Sequence, residues 1–154
     1  MGLDMYLFVE KYESKLNYGN EDYSYPKGFY PKELDCLAKK HWKDNFLSIH
    51  SKYQIGYWRK FYPLHHWFVE YSHEEDNCQE IYVGEENLRD LLKRLKNVNN
   101  AEELIKILDP KDIVDNGWGD YYLECLDYTI KLFERVLRFI KNNNNYRIIY
   151  QASW

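Results

Sequence analysis

The run from Asp120 to Lys141 constrains this chain more than any other feature. Leu123, Leu126, Ile130, Phe133, Leu137 and Ile140 recur every three or four residues, with Glu124, Asp127, Lys131, Glu134 and Arg138 opposite them. That spacing predicts a core-facing amphipathic helix, whose apolar stripe needs a partner to cover it. Asp127 with Lys131 and Glu134 with Arg138 stand one turn apart and add favourable pairs. Sheet-like segments at the two ends of the sequence supply the partner. Met5 to Val9 alternates with apolar residues on both faces, the pattern of a central strand. After a turn at Asn142 to Asn145, Tyr146 to Gln151 reads as a closing strand with Ile148 and Tyr150 on one face.

Between these elements the periodicity changes several times. Residues 12–30 are polar, studded with Tyr and broken by Gly and Pro, and read as a long loop or irregular hairpin. Pro31 opens a helix carrying Leu34, Leu37, Ala38, His41 and Trp42. Gly56 precedes a second helix that starts near Tyr62, tolerates Pro63 in its first turn and aligns Leu64, Trp67, Phe68 and Tyr71. Glu80 to Val83 is a short strand; Gly84 follows, then a helix with Leu88, Leu91, Leu92 and Leu95 inward. Glu85 and Glu86 open that helix, and Lys93, Arg94 and Lys96 close it, as the helix dipole favours. Asn100 with Glu103 forms a capping box for a short helix bearing Leu104, Ile107 and Leu108, ended by Pro110. No internal repeat occurs, and the elements do not alternate regularly enough for a doubly wound sheet. The expected fold is α+β: one domain over residues 1–154, with a small, mostly antiparallel sheet packed by several amphipathic helices.

Composition closes off several function classes. A chain of 154 residues with 45% hydrophobic and 30% charged residues can bury a core and is neither disordered nor a coiled coil. Cys36, Cys78 and Cys125 are odd in number and form no C-x-x-C, which fits free thiols in a reducing, cytoplasmic setting. The opening MGLDMYLFVEK lacks a basic n-region and carries Asp4, so it does not read as a signal peptide. Tyr6 stands where a myristoylation motif wants Ser or Thr, and no apolar run reaches the ~18 residues of a membrane span. No membrane association is expected. A net charge of −4 gives no field for generic nucleic-acid binding. The stretch from Lys32 to Lys60 is locally basic, either a binding surface or a solvated helix face.

The 16 Tyr and 5 Trp are the compositional outlier, and they are densest in IGYWRKFYPLHHWFVEY, residues 55–71. With a helix from Tyr62, Trp58, Arg59 and Lys60 fall in the entering loop and His65 and His66 in the first turns. Arg59 and Lys60 suit an anion, Trp58 suits stacking on a ring, and His65 suits donation of a hydrogen bond or proton. Trp118, in GWGDYY at residues 117–122, either covers a pocket or packs as a lid on the sheet edge. Asp4 completes a ligand-binding set of Asp4, Trp58, Arg59, Lys60, His65 and Trp118, by orienting polar groups. Each has a plainer alternative: core packing for the indoles, an internal ion pair for Arg59, a structural hydrogen bond for His65, solvent for His66. A metal centre would gather His65, His66, His73 and Cys78, but their spacing matches no common zinc pattern, and no metal or cofactor is expected. G-x-S-x-G, P-loop, dinucleotide-turn and zinc-deaminase motifs are absent, which leaves His65 as the acid or base of any enzymatic reading.

The opening MGLDMYLF, the block IGYWRK with LHHWFVE, the helix start DYYLECLDYTI and the end YQASW together resemble a family of uncharacterised bacteriophage and prophage proteins. Its members open with M-G-L-D-M-Y-L, carry Y-W-R-K-x-x-x-[IL]-H-x-W-F and finish in S-W. The matching positions are Gly2 to Leu7, Tyr57 to Lys60 with His65, Trp67 and Phe68, and Ser153 with Trp154; Tyr62 departs, where such chains often have Asn. The resemblance implies a phage-associated role in the cytoplasm of a bacterial host. Phage accessory proteins of this size often counter host defence, and three readings follow. The preferred one is a non-catalytic binder of a nucleotide-like small molecule that sequesters a host immune signal, as a homo-oligomer whose aromatic surfaces partly close the pocket. The others are a metal-independent phosphodiesterase or transferase acting on a nucleotide through His65, and an inhibitor that docks residues 12–30 on a host defence protein. Missing enzyme signatures favour the first over the second, and the compact Arg, Lys, Trp and His cluster favours it over the third.

Overall fold

Alternation at the two ends and 3.6-residue periodicity between them produce an α+β fold in the computed structural model, which describes residues 2–14, 48–73, 75–109 and 118–154. In chain order the elements are β1 (Asp4–Ser14), β2 (Ser48–Arg59), α1 (Tyr62–Ser72), β3 (Ile81–Val83), α2 (Glu85–Leu95), α3 (Ala101–Leu108), α4 (Gly119–Asn142) and β4 (Tyr146–Ser153). The strands form one antiparallel sheet in the order β2-β1-β4-β3, with Tyr82 opposite Ile149 in the β3–β4 ladder. The chain divides into two compact units, Met1–Glu10 with Lys52–Trp154, and Lys11–Ser51. Within the second, Tyr12 meets His50 edge-on, ring centroids 5.9 Å apart. The helix expected from Pro31, residues 15–30 of the expected loop, Cys36 and Pro110 lie outside the described residues.

In the first unit the sheet buries Leu3, Met5, Leu7 and Val9 from β1 and the segment before it, with Trp58, Ile81, Val83, Ile148, Tyr150 and Ala152. These share one hydrophobic core with all four described helices. On α4 the helical spacing is as predicted, but the buried arc is wider. Tyr122, Thr129, Leu132 and Val136 join Leu126, Phe133, Leu137 and Ile140, whereas Leu123 and Ile130 are half-buried. The cause is that α4 is covered from two sides: β2 presses Trp58 on Phe133, and α2 and α3 pack alongside. Glu134 reaches across to Lys96 at 2.6 Å, beyond the neighbour one turn away. Lys96 holds the Glu134 carboxyl below its usual range, and Arg138 adds a smaller pull in the same direction.

The short helices follow their sequence signals. Leu88, Leu91, Leu92 and Leu95 of α2 are buried, and Asn100 accepts the Glu103 backbone N–H at 2.9 Å to cap α3. Glu103 returns its carboxylate to the Asn99 N–H at 2.8 Å, one residue earlier than in a regular capping box. Two expectations are corrected. Tyr12 to Ser14, placed in a loop by their polarity, extend β1, and Gly56 to Arg59, placed ahead of a helix, lie in β2. Beyond Val9 the residues of β1 are mostly polar, so alternation does not reveal them, whereas β2 does alternate through Tyr53, Ile55 and Tyr57 and went unread beside the stronger helical spacing that follows it. Among the described residues no helix is long and apolar enough to cross a membrane.

Candidate functional site

Strand β2 sends alternate side chains to opposite faces, and that separates the two halves of the Trp58–Arg59 pair. Trp58 is 3% exposed. Its indole N–H donates to the buried Thr129 hydroxyl at 2.8 Å, and its ring meets Tyr128 and Phe133 edge-on. Trp58 is therefore a core residue that ties β2 to α4, not a stacking platform in an entering loop. Arg59, its neighbour, is exposed. Lys60 turns the chain at φ 55° and donates its backbone N–H to the Leu3 carbonyl at 2.8 Å. Phe61, stacked on Tyr122, is the N-cap of α1, and Pro63 follows in the first turn.

Arg59 and Lys60 converge over Gly2. A Cβ there would meet the Lys60 Cε at 3.1 Å and an Arg59 guanidinium nitrogen at 3.6 Å, so the missing side chain makes room for both cations. The Lys60 ammonium lies 5.7 Å from the centre of the Trp118 ring, which is 40% exposed at the start of α4. Tyr121 meets Trp118 edge-on and donates its hydroxyl to the Arg59 carbonyl. Burial pushes the Tyr121 phenol up to about 12. On the other side of Arg59, Tyr57 donates to the Asp4 carboxylate, a bond that raises the Tyr57 pKa above its ordinary value. Both phenols thus stay neutral donors at physiological pH.

Four of the six residues expected from the sequence, Asp4, Arg59, Lys60 and Trp118, are joined in this way into one surface, drawn from β1, β2, the turn after β2 and the start of α4. Arg59 and Lys60 have no ion-pair partner among the described residues, which leaves two cations beside an accessible indole. Such an arrangement can hold an anionic group and stack a ring. Gly2, Tyr57 and Tyr121 were not among the ligand-binding residues expected from the sequence, although Gly2 and Tyr57 fall in the blocks that carry the family resemblance. The aromatic that follows Asp120 in GWGDYY was the available signal for Tyr121; Tyr57 and Gly2 gain their roles only through strand pairing.

His65 has a different environment. It is 1% exposed, with Nδ1 2.7 Å from the Tyr150 hydroxyl and Nε2 3.0 Å from an Asp76 carboxylate oxygen. A carboxylate only accepts, so Nε2 carries the proton and Nδ1 accepts from the phenol. Burial lowers the His65 pKa, with Asp76 opposing more weakly, and burial raises that of Tyr150. The adjoining cavity, about 10 Å³, has room for at most one water. His65 accordingly fastens α1 to β4 and to the 73–80 connection, with both ring nitrogens committed to the chain itself. His66 is bonded to the buried Asp109, and His73 is exposed. Among the described residues no three His, Cys, Asp or Glu side chains gather to hold a metal ion. Cys78 and Cys125 are free thiols, and burial raises the pKa of Cys125.

Compared with protein-family models, curated proteins and solved structures, the chain matches none of them.

Proposed function

We propose that the protein binds, without converting it, a nucleotide-like small molecule at the surface formed by Asp4, Arg59, Lys60 and Trp118, and that it acts by sequestering that molecule. The observation that carries this reading is the convergence of Arg59 and Lys60, without carboxylate partners among the described residues, beside the exposed Trp118 indole. Phosphate oxygens would sit between the two cations, with the Arg59 guanidinium offering a paired donor face. The base would lie on Trp118, and the Asp4–Tyr57 pair would orient a sugar or base edge through acceptor and hydroxyl together. Trp58 supports this surface from beneath by holding β2 to α4, and His65 serves the fold by holding α1 to β4. Because both nitrogens of His65 are occupied by internal partners, a binding role is favoured over acid or base catalysis there.

The test is native mass spectrometry of the protein with a panel of mono-, di- and cyclic nucleotides, wild type against Arg59→Ala. Wild type should retain one member of the panel unchanged, and the variant should bind it at least tenfold more weakly, the loss of about one charge-assisted contact. Equal affinity in the two proteins, with matching circular dichroism, would remove Arg59 from the site, and a converted nucleotide would replace sequestration with catalysis.

A further inference from the structure

Opposite charges set directly across an antiparallel pair of strands ordinarily meet, and one such pair in this sheet does not. The Lys60 N–H donates to the Leu3 carbonyl at 2.8 Å, and a Cβ on Gly56 would lie 3.2 Å from the Leu7 Cβ, so β2 runs against β1 with Lys60 facing Leu3 and Gly56 facing Leu7. That register sets Tyr57 across from Tyr6, their ring centroids 5.5 Å apart, and Arg59 across from Asp4. Asp4, Tyr6, Tyr57 and Arg59 therefore share the sheet face turned away from the buried Leu3, Met5, Leu7 and Trp58. Next to the hydrogen-bonded Leu3–Lys60 pair, Asp4 and Arg59 form a non-hydrogen-bonded pair, the kind in which side chains come closest. Yet neither has an ion pair among the described residues. The Asp4 carboxylate accepts from the Tyr57 hydroxyl, and the Arg59 guanidinium lies over Gly2, where a Cβ would come 3.6 Å from one of its nitrogens.

We infer that Tyr57 is a positioning residue for the Arg59 and Lys60 surface: its hydroxyl holds the Asp4 carboxylate off the guanidinium and so keeps that cation open to an anionic ligand. The role rests on the anion-binding reading of Arg59 and Lys60 proposed above. A hydrogen bond to a charged group outweighs the typical exposed ion pair, which accounts for the partner Asp4 takes. Without the hydroxyl, Asp4 has a cation directly opposite it, and its carboxylate would both occupy the guanidinium and repel an incoming phosphate. Tyr57 is held in place from two further sides. Its ring packs on Tyr6, and its backbone N–H donates to the Tyr128 hydroxyl of α4 at 3.2 Å. The bond to Asp4 also raises the Tyr57 pKa, so the phenol keeps the proton that it donates.

The experiment compares wild type, Tyr57→Phe, Asp4→Asn and the double variant, each as the full chain, with inorganic pyrophosphate as the probe, since it presents an anion without a sugar or base. Tyr57→Phe should weaken pyrophosphate binding by about threefold or more, the strength of the exposed ion pair that then competes, and should leave it unchanged in the Asp4→Asn background. The Nε–Hε resonance of Arg59, recorded without ligand, should move in Tyr57→Phe as the guanidinium takes up the carboxylate, and return in the double variant. Phe keeps the ring against Tyr6, and the double variant, which lacks the same hydroxyl, controls for any change in melting temperature. An equal loss of affinity in both backgrounds would make the hydroxyl a direct ligand contact. An Arg59 resonance unmoved by Tyr57→Phe would show that Asp4 stays away without it, and either result overturns the positioning role. Failure of wild type to bind pyrophosphate would instead overturn the anion-binding reading, while the ligand-free resonance still decides whether Tyr57 holds the two charges apart.

Discussion

Lys60 sits at φ 55°, a backbone region that costs a side-chain-bearing residue about 1–2 kcal/mol and glycine very little. Non-glycine residues persist in such positions where their side chains are used. Here the ammonium is presented to Trp118. Lys60→Gly should therefore leave stability unchanged or raise it by up to about 1 kcal/mol, after the extra chain entropy of glycine is set against the relieved strain. Under the proposed function, the same change should weaken binding of the nucleotide-like ligand several-fold. Chemical denaturation and a binding titration on one sample check both halves, and a loss of stability without a loss of binding would make Lys60 a purely structural residue. At this scale Arg59, Lys60 and Trp118 were legible because charge and exposed aromatic area announce themselves in a sequence. Trp58 was not, because whether an indole is platform or core depends on which face of a strand it occupies, and the strand itself was unseen. His65 was legible as a hydrogen-bonding residue, but its partners Asp76 and Tyr150 are brought to it by a connection and a strand whose positions no local pattern gives.

Strand β2 shows what an element needs beyond its own propensity. It lies flat against α4 because Gly56 has no side chain: a Cβ there would fall 2.4 Å from a Leu132 methyl and 3.2 Å from the Leu7 Cβ. Leu132 is 7% exposed and has little room to yield. Gly56→Ala should cost about 1–3 kcal/mol by overpacking, read as a lower urea midpoint with an unchanged slope. In a Leu132→Ala background the same substitution should cost less, since the methyl it strikes is gone; equal costs in the two backgrounds would show that the strain lies elsewhere. Helices α2, α3 and α4 were read from the sequence nearly to the residue, because their apolar spacing, dipole-matched charges and the Asn100 cap are all local. The extent of β1 and the existence of β2 were not, because a strand's stability comes from neighbours distant in sequence.

For the molecule as a whole, His65 couples folding to pH. The folded pKa is depressed by burial below the unfolded value near 6.5, so the unfolded chain takes up the proton first as pH falls. Stability associated with His65 is thus fully present above about pH 6.5 and lost as pH falls from there toward the folded pKa. Urea midpoints should drop more between pH 7 and 5 in wild type than in His65→Gln, which keeps an acceptor for Tyr150 and a donor for Asp76 but does not titrate. Parallel profiles would assign the acid sensitivity to other groups. The fold class was legible because apolar segments at both ends bracket a long amphipathic helix, and the pairing of β1 with β4 follows from neither segment alone. That pairing also sets an order in time. The ribosome delivers the strand that joins β1 to β3 after both of the strands it joins, a delay on the order of seconds at about 5–20 residues per second. Until β4 emerges, β1 keeps an open edge and β3 lacks the neighbour that places it in the sheet, so mispairing threatens this chain most while it is still being made.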